Sequence, residues 1–109
     1  MDIKVLLEEG TNLKWKELRY LKSPPFPYFI FIDDTYTRGA DKYNNIIEHN
    51  LTLEYYNEVI DKTYEKKIED FLNSEDYQYN KNREWLEEEK MYMTIYEIDT
   101  FLEKVMKGE

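Results

Sequence analysis

Pro24-Pro25-Phe26-Pro27-Tyr28-Phe29-Ile30-Phe31-Ile32 leads through a polar stretch containing Gly39 into Asn45-Ile46-Ile47-Glu48-His49-Asn50-Leu51-Thr52-Leu53-Glu54-Tyr55-Tyr56. Each proline removes a backbone donor and biases its predecessor away from helix, so the three form a rigid, extended lead-in. Tyr28 to Ile32 is apolar on both parities, which predicts a strand covered on both faces, by helices on one side and a further layer such as another subunit on the other. In the second segment Ile47, Leu51, Leu53 and Tyr55 share one parity, and Glu48, Asn50, Thr52 and Glu54 share the other, as in a half-buried strand. Thr37-Arg38-Gly39-Ala40-Asp41 carries turn chemistry. The two strands therefore read as one antiparallel ribbon with a loop from Asp33 to Asn44. That loop is long for a hairpin, and it holds Tyr36, Arg38 and Tyr43 as exposed side chains suited to contact another subunit or a partner.

On the N-terminal side, Asp2 to Glu9 has helical spacing: Asp2 is placed to cap, Ile3, Leu6 and Leu7 share a face, and Gly10 closes the turn. Asn12 to Leu21 alternates weakly, a short strand with helix as its competitor. On the C-terminal side, Asp61 is placed to cap a helix in which Tyr64, Ile68, Phe71 and Leu72 form the apolar stripe as far as Asn73. Tyr77 to Trp85 alternates again, and Lys90 to Ile98 reads as its partner strand, with Glu87-Glu88-Glu89 at the connection. Phe101 to Met106 is a short amphipathic segment, helix or strand. The expected order is α-β-β-β-α-β-β. It describes a single α+β domain spanning residues 1–109, an antiparallel sheet of about five strands with two or three helices on one face.

Composition narrows the function. Area scaling for 13.5 kDa gives roughly 6,500 Å² folded against about 20,000 Å² unfolded, enough for one modest core. Cysteine is absent, which excludes disulfides, zinc–thiolate sites and thiol nucleophiles. The first ten residues do not have the pattern of a signal peptide, and no apolar run approaches bilayer-spanning length. With 24 acidic and 15 basic residues, a net charge of −9, the surface disfavours nonspecific nucleic-acid binding. Eleven tyrosines supply the burial that a disordered acidic chain lacks, and most are expected to be half-buried strand residues.

Catalytic and metal constellations find little support. His49, the one histidine, lies on the buried parity between Ile47 and Leu51 and is expected to be a core or interface residue. Asp33-Asp34 and Asp41 match no calcium-loop spacing. Neighbouring acids in Glu87-Glu88-Glu89 point to opposite faces and do not confront each other across a cleft, so they read as a solvated turn. Glycines 10, 39 and 108 are too far apart for a phosphate loop. The residues predict a non-enzyme without cofactor or bound metal.

Taken in order, Pro24 to Phe31, Gly39-Ala40-Asp41, Tyr43-Asn44-Asn45 and Leu53-Glu54-Tyr55-Tyr56 resemble small tail-assembly proteins of bacteriophages and prophages of Gram-positive hosts, the tail-terminator, tail-completion and head–tail joining group. The resemblance continues through the Asp61–Leu72 helix, Tyr77 to Lys81, Trp85-Leu86-Glu87, Glu89-Lys90-Met91-Tyr92 and Tyr96-Glu97-Ile98, and so spans residues 3 to 98. It implies a structural protein that forms a ring-like homo-oligomer, such as a hexamer, and meets other tail or connector proteins. It implies a place in the host cytoplasm during assembly and in the virion afterwards, with no nucleic-acid or membrane partner and no catalytic residues to transfer. A different class of reading is a small acidic inhibitor from a mobile element that mimics phosphate charge and blocks a basic surface. Interleaved Glu65-Lys66-Lys67 and Lys81-Asn82-Arg83-Glu84 argue for a mixed surface instead. A carboxylate-bound metalloenzyme ranks behind both.

Overall fold

The chain is described from a computed structural model, in which residues 1–39 and 44–106 are defined. Its elements run α1 (Ile3–Thr11), β1 (Trp15–Glu17), β2 (Tyr28–Gly39), β3 (Asn44–Asn57), α2 (Lys62–Ser74), β4 (Tyr79–Leu86), β5 (Met91–Ile98) and β6 (Phe101–Met106). They form an α+β fold in which one six-stranded sheet has the order β1-β2-β3-β5-β4, and β6 also pairs with β3. All pairings are antiparallel except β1 with β2. Compared with the sequence expectation, the segment after β5 is a sixth strand, β1 shrinks to three residues, and α1 and α2 are the helices.

Both helices begin as their sequences predict. Asp2 accepts a hydrogen bond from the Val5 amide at 3.2 Å, and Asp61 accepts one from Thr63 at 2.9 Å, each satisfying an orphan amide of the first turn. The end of α1 differs from expectation. Gly10 lies inside the helix, and closure comes from Asn12, whose left-handed backbone (φ 58°) directs its amide to the Glu8 carbonyl. Glycine is needed at position 10 because the helices cross there. A Cβ added to Gly10 would collide with the Phe71 ring in α2.

The strands present two faces. Phe29, Phe31, Leu51, Leu53, Tyr55, Tyr96 and Ile98 face the helices, where they meet Leu7, Ile68, Phe71 and Leu72 in one core. The opposite face carries Tyr28 and Ile30 from β2, and both are buried. Their cover comes from this same chain. The segment before β2 folds back so that Tyr20 and Phe26 pack on the Tyr28 ring, with centroids at 5.7 and 5.8 Å, and Tyr56, its cross-strand neighbour on β3, stacks at 4.8 Å. The second face of this apolar strand is thus already buried by the chain itself.

Beside β3, β5 and β6 form nearly one strand interrupted once. Glu97 lies opposite Thr52 and Phe101 opposite His49, so three residues (98–100) face two (50–51). This extra residue is a bulge, and it switches the parity that faces the helices from even in β5 to odd in β6. The switch keeps Phe101 and Glu103 on the helix side. The far ends of β2, β3 and β6 run on together past the core as a three-stranded arm. The molecule measures 51 × 30 × 21 Å, and its radius of gyration, 15.6 Å, exceeds the roughly 13 Å expected of a compact chain this long.

Candidate functional site

The arm is built where the sequence predicted a loop. β2 continues unbroken to Gly39 and β3 starts at Asn44, with Thr37 opposite Ile47 and Gly39 opposite Asn45. The turn composition of residues 37–41 thus yields to cross-strand pairing at Thr37 and Arg38, in a stretch whose Thr-Tyr-Thr run favours strand. Tyr36 projects from the face away from the helices and is 65 % exposed. Arg38 shares that face and donates to Glu48 at 3.0 Å, diagonally across the ribbon. Tyr43 and Asp41 lie outside the described residues. Asp33 and Asp34 point to opposite faces, and among the described residues no three His, Asp or Glu side chains converge as metal ligands. Glu87-Glu88-Glu89 forms the exposed turn between β4 and β5.

At the root of the arm, three strands meet in a buried charged cluster. His49 of β3 is 3 % exposed. Its Nδ1 lies 2.7 Å from an Asp33 carboxylate oxygen on β2, and its Nε2 lies 2.8 Å from Glu103 on β6. Phe101 stacks on the imidazole at 4.8 Å, while the Met1 ammonium donates to the other Glu103 oxygen at 2.8 Å. Carboxylates on both sides call for two N–H donors, so the ring is an imidazolium. Burial by itself lowers the His49 pKa, but hydrogen bonds to Glu103 and Asp33 outweigh it and the net shift is upward. The Glu103 carboxyl is held below its ordinary value, first by the Met1 ammonium and then by His49. With both nitrogens engaged, the ring has no lone pair free to take a proton from a substrate. What the arrangement does is fasten β2, β3 and β6 together where the arm leaves the core.

The sequence placed His49 correctly on the buried parity and missed its partners. Asp33 was findable, because it shares the parity of Phe29 and Phe31. Glu103 was not, because its orientation depends on the bulge.

A second charged cluster links α2 to β4. Glu65, nearly fully buried, takes hydrogen bonds from Arg83 at 2.6 Å and Lys81 at 2.5 Å. Lys81 also reaches Glu69 at 2.7 Å, and Glu69 in turn accepts from the Tyr96 hydroxyl at 2.8 Å. Burial raises the Glu65 pKa, but the two cations more than reverse it, and the net shift is downward. The open groove beside this cluster, about 620 Å³, is lined by alternating Lys and Glu or Asp side chains that largely neutralise one another. It has the character of a solvated ionic lattice.

The chain matches no protein-family model and no curated protein. The sheet and its two helices define an α+β architecture with a projecting arm, and no helix in the described residues is long and apolar enough to cross a membrane.

Proposed function

We infer that the protein is a non-catalytic assembly subunit, of the small tail-assembly type found in bacteriophages and prophages of Gram-positive hosts, which works as a ring-like homo-oligomer in contact with other tail or connector proteins. The observation that carries this reading is the arm. Residues 34–39 of β2 are exposed on both faces, and the His49 cluster ties β2, β3 and β6 together at the root. A sheet that runs on beyond its core leaves the unpaired backbone of its edge strand exposed, which favours meeting a partner. The engagement of both His49 nitrogens and the neutralised groove between α2 and β4 also favour a structural role. The order of motifs from Pro24 to Ile98 supplies the virion context.

The test is light scattering on a sizing column across a wide concentration range, with negative-stain imaging of the large species. Closed rings of uniform diameter are the expected result. A strict monomer up to millimolar concentration, alone and when mixed with tail tubes, overturns the reading.

A further inference from the structure

The outer edge of β2 is covered only at its start. β1 pairs with Phe29 to Phe31 and, among the described residues, no strand lies beside β2 after that point. The Leu18 amide donates to the Phe31 carbonyl at 2.9 Å from the β1 side, so the backbone of Phe31 points outward. The β2–β3 register then runs without a bulge to Gly39. Outward-pointing donors and acceptors therefore recur every second residue, at Asp33, Thr35 and Thr37. An edge of this kind is a template for another strand. Its side chains, Asp34-Thr35-Tyr36-Thr37-Arg38, are all exposed, and they are palindromic about Tyr36 with opposite charges at the two ends.

We propose that this edge pairs antiparallel with the same edge of a second copy, about a two-fold axis at Tyr36, and that it forms an isologous dimer; the inference rests on the reading of the arm as a subunit contact. A two-fold interface requires a self-complementary surface, and this stretch provides one. Asp34 lies opposite Arg38 of the second copy, Arg38 opposite its Asp34, and Tyr36 opposite Tyr36. On the other face each Thr35 lies opposite a Thr37. Ion pairs, an aromatic pair and threonine pairs are the cross-strand combinations that stabilise antiparallel ladders. Because Thr35 and Thr37 point their backbones outward, they exchange the hydrogen bonds. Tyr36 then falls at the closely spaced, non-hydrogen-bonded pair, where side chains approach most nearly. Arg38 uses one Nη in its bond to Glu48, and among the described residues no other carboxylate takes the remaining donors of its five-donor guanidinium.

The alternative edge contact, head to tail through β6, is less favourable. Arg38 and Lys104 both lie opposite Ile46, so a side-by-side repeat would bring these two cations to the same level. The two-fold arrangement avoids that repulsion. Arm pairing joins subunits two at a time, and ring closure then uses surfaces of the body.

The experiment is sedimentation velocity from low micromolar to millimolar concentration on the full chain and on Asp34→Arg, Arg38→Asp and the double variant carrying both. Each single reversal sets like charges opposite each other at both ends of the pairing and should raise the dimer dissociation constant about tenfold or more. The double swap restores complementarity and should recover most of the loss. Circular dichroism checks each fold, and Glu48→Gln, which removes only the internal partner of Arg38, should leave dimerisation nearly unchanged. A dimer that the double swap does not rescue overturns the proposal. Larger closed species insensitive to all three charge variants overturn it while leaving the assembly role standing. A strict monomer overturns the dimer proposal, and it overturns the assembly role as well only if the chain also stays monomeric when mixed with tail tubes.

Discussion

Replacing His49 by glutamine tests how the arm is held. The substitution preserves approximate size and one donor while removing the charge that faces Asp33 and Glu103. Asp33 is nearly fully buried at this point and, among the described residues, has no other hydrogen-bonding side chain for either carboxylate oxygen. Removing one member of a buried ion pair costs about 3–5 kcal/mol, chiefly because an uncompensated charge is left behind. That loss should appear in urea unfolding at about pH 6, where wild-type His49 is charged in both folded and unfolded chains.

The pH dependence is the sharper part of the same prediction. The folded pKa of His49 is raised, so its contribution is fully present below the unfolded value of about 6.5 and is lost as pH rises through the folded value. Between those two values, wild-type stability falls by at most about 1.4 kcal/mol per pH unit, the limit for one proton. Above them, neutral imidazole must turn a lone pair toward one of its carboxylates, and the advantage over glutamine shrinks. The gap between wild type and His49→Gln should therefore narrow from about pH 6 to about pH 9. A constant gap across that range would refute the imidazolium assignment. The Glu103 carboxyl, held low, contributes with the opposite sign: its stabilisation is present above about pH 4.3 and is lost as pH falls through the lower folded value.

Other consequences concern single positions. Gly10→Ala should gain about 1 kcal/mol from helix propensity yet destabilise overall by about 1–3 kcal/mol in urea unfolding, because its Cβ meets the Phe71 ring; a net gain would mean that the helices separate at little cost. Glu65→Gln should cost about 2–4 kcal/mol at neutral pH, chiefly by stranding Arg83, since Lys81 keeps its ion pair with Glu69. That difference should shrink as pH falls below about 4.3 through the lowered folded pKa, where wild-type Glu65 also loses its charge. Lys90 closes the β4–β5 turn at φ 54°, so Lys90→Gly should stabilise by about 0.5–1 kcal/mol, read as a raised denaturant midpoint with an unchanged slope.

Much of the framework was legible from local pattern. Period-two burial in β3, from His49 through Leu51 and Leu53 to Tyr55, follows from alternation alone, because successive side chains in a strand must point to opposite faces. The caps at Asp2 and Asp61 were equally readable, since a cap is a contact between residues two or three apart. The arm was less so. Turn-forming residues at 37–41 matched a loop, and strand pairing with β3 overrode that preference as far as Gly39, since register across a ribbon is set by both strands together. Gly10 looked like a helix stop because it is a glycine. Its reason for being there is Phe71, about sixty positions away in sequence.

From the sequence came an α+β chain with an acidic, cysteine-free composition, a long β2–β3 ribbon, and a histidine on the buried side of it. These are matters of composition and period, which each segment carries within itself. Tertiary structure alone decided that Tyr28 is covered by this chain's own Tyr20 and Phe26. It alone decided that a one-residue bulge after Ile98 turns Glu103 toward His49, and that Asp34 to Arg38 lie along an open edge. The bulge and the open edge depend on strands distant in sequence meeting at a particular register, and a shift of one residue would send the same side chains to the opposite face.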